Sequence, residues 1–101
     1  MSILYITEFS NQGTDILGRL SPIASLLAIT TQTVAITGAS VQSAALNANT
    51  TIVRLHVDIA ASFDAGLNPT ATTSKNRMPL DSVEYFGVQT NSNLKIAVIA
   101  N

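Results

Sequence analysis

The chain has 101 residues, 47% hydrophobic and 11% charged, with a formal net charge of −1. An average domain carries about 25% charged residues, and a nucleic-acid backbone is tracked by clustered Lys and Arg. Here Arg19, Arg54, Lys75, Arg77 and Lys95 are scattered and cysteine is absent, which speaks against direct nucleic-acid binding, a disulfide framework and a thiolate metal site.

Taken in chain order, the start, Met1-Ser-Ile-Leu-Tyr-Ile, has no basic region followed by a long apolar one, so no secretory leader is expected. Ile3–Phe9 alternates Ile3, Tyr5, Thr7 and Phe9 against Leu4, Ile6 and Glu8, which predicts a strand, one that can add to a neighbouring sheet by its edge. Ser10–Gln32 reads as an arm. It holds Ile16, Leu17, Leu20, Ile23, Leu26 and Leu27, more apolar residues than a solvated loop needs. Such an arm either covers the bottom of the domain or lies on a partner. Ser21-Pro22 can serve as the N-cap and first residue of a short helix through Ile23–Ala28, whereas the β-branched tail after Ile29 favours extended chain. The uncharged run from Leu20 to Val53 is broken by Ser, Thr, Gln, Asn, Gly and Pro, so it is too polar for a transmembrane helix.

Thr33–Thr37 predicts a short β-branched strand, with Val41–Leu46 extending it or pairing beside it. Thr51–Ile59 carries the strongest signal. Val53, Leu55, Val57 and Ile59 fall on one face and Arg54, His56 and Asp58 on the other, the pattern of a half-buried antiparallel strand. Ala61–Ala65 follows, centred on Phe63. Gly66–Pro79 reads as a long surface loop, and its Asn68–Arg77 part as a solvated excursion able to reach a partner. Val83–Val88 and Leu94–Ile99 predict a final hairpin joined by the turn-rich Gln89–Asn93.

These elements predict one all-β domain over residues 1–101, a small antiparallel β-sandwich (jelly-roll-like) or a flattened barrel, with 10–32 as arm and 66–79 as loop. Thirteen alanines and five aromatic residues make a thin core. A core that small favours a homo-oligomer.

The chain is chemically quiet. His56 shares a strand face with Asp58 and Arg54, but no G-x-S-x-G and no cysteine accompanies the pair, so the set of nucleophile, base and orienting group is incomplete. No calcium-loop pattern links Asp58, Asp64, Asp81 and Glu84. Asp81-Ser-Val-Glu84 has capping-box spacing, yet the strand-like Tyr-Phe-Gly-Val after it favours a turn at Asp81. The glycines are isolated singles and cradle no phosphate. Tyr85-Phe86 fits a half-core, half-interface pair better than a stacking platform for a base or sugar. No catalytic, cofactor-binding or metal-binding residue is expected, and an enzyme is not expected.

Four segments carry a resemblance: Val53-Arg-Leu-His-Val-Asp, Ala65-Gly-Leu-Asn-Pro-Thr-Ala-Thr, Arg77-Met-Pro-Leu-Asp-Ser-Val-Glu-Tyr-Phe-Gly-Val and Leu94-Lys-Ile-Ala-Val-Ile-Ala-Asn101. In that order, with Thr33-Val-Ala-Ile and Val41-Gln-Ser-Ala-Ala-Leu, the chain resembles the small β proteins encoded among the virion genes of tailed bacteriophages. The likeness is one of size, composition and strand order, weakest over Ser10–Gln32, and it brings no catalytic motif. It implies a virion structural protein, made in the host cytoplasm and placed on the capsid exterior as a decoration or cement protein. The partners it implies are the major capsid protein or other virion proteins, with the chain as a homo-oligomer such as a trimer. Partner contacts are expected at Ile3, Tyr5, Ile16, Leu17, Leu20, Ile23, Leu26, Leu27, Tyr85 and Phe86. A tail or fibre module binding a receptor or glycan, and a neck or tail connector, are the alternatives.

Overall fold

A computed structural model describes residues 2–10, 12–14, 20–24 and 29–101. All the regular structure among them is β: β1 (Ser2–Phe9), β2 (Gln12–Thr14), β3 (Leu20–Ala24), β4 (Thr30–Ile36), β5 (Val41–Gln42), β6 (Ile52–Val57), β7 (Ala61–Gly66), β8 (Asn76–Met78), β9 (Val83–Gly87) and β10 (Lys95–Ala100). Two four-stranded antiparallel sheets, β4-β1-β6-β9 and β5-β10-β7-β8, form a small sandwich, and β2 and β3 pair as a separate ribbon.

The alternation legible in the sequence sets the core. Leu4 and Ile6 of β1 lie opposite Val57 and Leu55 of β6, and all four side chains are buried. Val34 and Ile36 extend this layer on β4. The second sheet supplies Ala61 and Phe63 from β7, Met78 from β8, and Ile96 and Val98 from β10. Leu46 joins them from the connector between sheets, and Ile59 packs at the margin just beyond the end of β6. The core is built of aliphatic side chains with a single buried-cluster aromatic, Phe63, as the composition implied.

Glu8 continues the inward row of Leu4 and Ile6, and it is only 1% exposed. A carboxylate buried there must be hydrogen-bonded. The Asn47 N–H and Thr50 Oγ1 donate to its Oε1 at 2.6 and 2.8 Å, and Gln32 Nε2 donates to its Oε2 at 3.3 Å. Glu8 thus ties β1 to β4 and to the 43–51 connector.

Several expectations are corrected. β1 is no edge strand: it is hydrogen-bonded to β4 on one side and β6 on the other, so strand addition through Ile3–Phe9 has no free backbone to use. β5 does not pair beside β4 but beside β10, because the Thr37–Ser40 link carries the chain across to the other sheet. The last two strands do not form a hairpin. β9 pairs with β6 and β10 with β7, so Val88–Leu94 arches between sheets. The Asn91 N–H bonds to Ala48 O at 2.8 Å, and Asn91 and Asn93 both take a left-handed φ, 57° and 56°, which turns the chain away from β9.

The arm also differs from one of its two readings. β1 and β4 form a long ribbon whose pairing carries on past Glu8 and Thr30 as β2 and β3. The register shifts between Gln12↔Ala24 and Thr14↔Leu20, and Pro22 lies in the shifted stretch, where no ladder donor is required. Of the two alternatives at Ser21-Pro22, a helix start or extended chain, the extended one is found, and residues 25–28 lie outside the described ones.

The 66–79 stretch is less a free loop than a cover. Gln42 Nε2 donates to Asn68 Oδ1 and to Pro69 O at 2.9 and 2.8 Å, and the Ala71 N–H donates to Ser40 Oγ at 2.9 Å. Pro69 and Ala71 are buried, as are Ser62 and Ala97 on the outward side of the second sheet. The stretch ends as β8, an edge strand of that sheet.

Candidate interaction surface

With the outer face of the second sheet partly covered, the first sheet presents the freer surface. Residues directly opposite in an antiparallel pair share a face. Tyr5 lies opposite Thr33 and His56, His56 opposite Val83, and Arg54 opposite Thr7 and Tyr85. These side chains form an outward layer, since their neighbours Leu4, Ile6, Val53 and Leu55 point into the core. Tyr5 and His56 are stacked, with ring centroids 5.7 Å apart and an interplanar angle of 29°. They border a shallow depression of about 480 Å³ with Arg54, Thr7 and Asp58.

The His56–Asp58 pair does not become a dyad. Asp58 Oδ1 accepts the Ile3 N–H at 2.9 Å, so its carboxylate pins the start of β1, while His56 packs on Tyr5. Among the described residues no three His, Asp or Glu side chains gather at metal-binding distance.

β9 is the second part of the surface. All five of its residues are exposed, unlike those of any other strand with described side chains. Its sequence alternates faces: Val83 and Tyr85 point outward with His56 and Arg54, and Glu84 and Phe86 point toward the second sheet. Tyr85 is 53% exposed and Phe86 37%. Phe86 meets Phe63 edge-on at 5.6 Å across a cleft of about 470 Å³, where the β9 and β8 edges of the two sheets stand apart. The cleft has an apolar floor of Val53, Leu55 and Ile96, with Glu84 and Arg77 among its lining residues. Leu80, 62% exposed, sits just before β9 in the Pro79–Ser82 turn, closed by Ser82 N–H to Pro79 O at 3.1 Å. Asp81 holds the turn's third position with φ 56°, a conformation Asp tolerates better than most residues, so the turn expected there is present.

Of the expected contact residues, Tyr5, Tyr85 and Phe86 lie on this surface, Tyr5 and Tyr85 on the outer face and Phe86 in the cleft. Ile3 is half-buried on β1 beside them. Leu20 and Ile23 belong to the ribbon strand β3, away from both four-stranded sheets, and Ile16, Leu17, Leu26 and Leu27 lie outside the described residues. Sequence reasoning missed Leu80, Val83 and Glu84 as surface residues, while Arg77, also lining the cleft, ends the Asn68–Arg77 stretch that was expected to reach a partner. Val83 was visible as the start of the expected strand Val83–Val88, but nothing in the sequence says that this strand sits at an edge. Comparison with protein-family models, curated protein sequences and solved structures returns no match.

Proposed function

We propose that the chain is a virion structural protein of a bacteriophage, a decoration protein that binds the outside of the major capsid protein shell. The observation that carries the reading is a charge-poor sandwich that leaves one sheet with an aromatic outer face and an unprotected edge, Tyr5, Val83, Tyr85 and Phe86. Exposed aromatic side chains gathered on one sheet face and its edge are the composition that interfaces favour. The resemblance in size, composition and strand order supplies the setting. In this reading each copy makes modest contacts, and an oligomer touching several capsid subunits gains affinity through effective concentration. No charged track for nucleic acid is needed, because the shell stands between the protein and the packaged genome.

A second reading, a glycan-binding module of a tail or fibre, draws on the Tyr5–His56 stack beside Arg54 and Asp58, since aromatic faces flanked by polar groups suit sugars. Quantitative mass spectrometry of purified virions separates the two. A copy number comparable with the major capsid protein supports decoration. A few copies per particle support the tail, and absence from virions removes both readings.

A further inference from the structure

Among the described residues, the charged side chains on the inward faces of the two sheets are Glu8 and Glu84. Glu8 has its donors. Glu84 lies opposite the buried Leu55, with Phe86 next to it on the same face of β9. No described residue hydrogen-bonds or ion-pairs with its carboxylate, and the ion pair that does form among them joins Lys75 to Asp64. Water reaches Glu84, so the charge is tolerated there. The fold gains nothing from it, because the inward face of such a sheet calls for an apolar residue.

Glu84 borders the cleft of about 470 Å³ between the β9 and β8 edges, over the floor of Val53, Leu55 and Ile96. Across it stands Asn76, opposite Phe63 and therefore on the inward face of β8. Its Nδ2 donates to Phe63 O at 3.2 Å, which commits the donor end of the amide and leaves Oδ1 with no donor among the described residues. Arg77 comes next and lies opposite Ser62, so its side chain leaves β8 on the outward face. The inward side chains thus bring an apolar floor, two aromatic rings and unpaired acceptors to one concavity.

We propose that this cleft binds a small organic ammonium ion, a primary amine with an aryl or branched alkyl body. The body lies on the apolar floor beside Phe86, and the ammonium group meets Glu84 at the rim. An ammonium carries donors and no acceptor, which matches a carboxylate and an unpaired amide oxygen. The faces of Phe63 and Phe86 attract a cation as well as an apolar body. A carboxylate ligand would meet like charge at Glu84. A neutral hydrocarbon would strip water from that carboxylate and give it no partner in return. The concavity has the size and the mostly apolar lining of small-ligand sites. The site goes beyond the virion reading and does not rest on it.

Titrating the full chain with phenethylammonium chloride at neutral pH, followed by amide NMR, tests this. Saturable shifts should gather at Ala65, Gly87 and Ile96 around the cleft, with a dissociation constant of about 1 mM for so small a ligand. 2-Phenylethanol keeps the body and replaces the ammonium with a hydroxyl, and it should bind about tenfold more weakly, as should 3-phenylpropanoate. E84Q should lower the affinity for the ammonium about tenfold and leave that for the alcohol unchanged. D81N removes a nearby charge that does not line the cleft, at a left-handed position asparagine tolerates, and it should change neither. No saturable shift at the cleft, equal affinity for ammonium and alcohol, undiminished binding by E84Q, or the same loss in D81N overturns the proposal. If E84Q fails to fold, the three probes on the unmodified chain decide alone.

Discussion

Thr50 Oγ1 donates to Glu8 Oε1 at 2.8 Å, and both residues are buried, Thr50 in the connector and Glu8 in the central strand β1. The two are 42 positions apart in the chain. A hydrogen bond across that separation, made away from water, fixes how the connector between the sheets lies on the first sheet. The Asn47 N–H and Gln32 Nε2 converge on the same carboxylate, and removing it leaves the buried Thr50 Oγ1 without its acceptor, whereas Gln32 Nε2 keeps Ala44 O and Asn47 is open to water. Leaving a buried donor unsatisfied costs about 1–3 kcal/mol. Glu8→Ala should therefore lower unfolding free energy by about 2–3 kcal/mol. Glu8→Gln keeps one acceptor for Asn47 and Thr50 and loses that for Gln32, a loss of about 1 kcal/mol. Urea titration of the two variants checks the order, and equal effects would show that the network is not cooperative in the way the geometry implies.

Core and cleft should respond differently to truncation. Leu55 is fully buried between the sheets, and Leu55→Ala should cost about 2–5 kcal/mol through lost transfer energy and a residual cavity. Phe86 faces the same interior but at its open margin, where much of the ring still meets water. Phe86→Ala should cost only about 1–2 kcal/mol in the monomer. Thermal unfolding at a concentration low enough to dissociate any dimer measures the difference, and a Phe86 loss as large as that of Leu55 would mean that the cleft is closed in solution.

The arch between β9 and β10 rests on two left-handed asparagines, Asn91 and Asn93. Glycine occupies that region without steric conflict, and a β-branched side chain does so poorly. Asn93→Gly should leave stability unchanged or raise it by about 0.5 kcal/mol, whereas Asn93→Val should lower it by about 1–2 kcal/mol. Paired denaturation curves test this, and a harmless valine would mean that the link takes another backbone path.

The sandwich itself was legible because its signal is local. Val53, Leu55 and Val57 alternate with Arg54 and His56, and that period needs no knowledge of the partner strand. The sheet to which a strand belongs is a different matter. Val83–Val88 and Leu94–Ile99 look like a hairpin, since five turn-forming residues separate them, and only the positive φ of Asn91 and Asn93 and the bond to Ala48 O send the second strand elsewhere. Glu8 shows the same limit in the core. Alternation placed it beside Leu4 and Ile6, but its three donors come from segments with no sequence relation to β1. Of the surface, Tyr85 and Phe86 were readable as an adjacent aromatic pair. That their strand is an open edge depends on strand order, which period-2 patterning does not encode.

The outer face of the first sheet offers a way to separate recognition from stability. Tyr5 and His56 stack on each other across β1 and β6, yet Tyr5 remains 40% exposed, so the pair covers little of the core. An exposed cross-strand pair contributes roughly 0.2–1 kcal/mol. Tyr5→Ser and His56→Ser should each lower stability by no more than about that amount. Central aromatic contacts of an interface, in contrast, commonly cost 2 kcal/mol or more when truncated, about a thirtyfold loss of affinity. If the face is what meets the shell, Tyr5→Ser should bind purified capsids about thirtyfold more weakly while unfolding almost as the parent does. Capsid co-sedimentation over a concentration series reads this directly. Undiminished binding would move the contact off the outer face, to the cleft or the ribbon, and leave the Tyr5–His56 stack a purely structural pair.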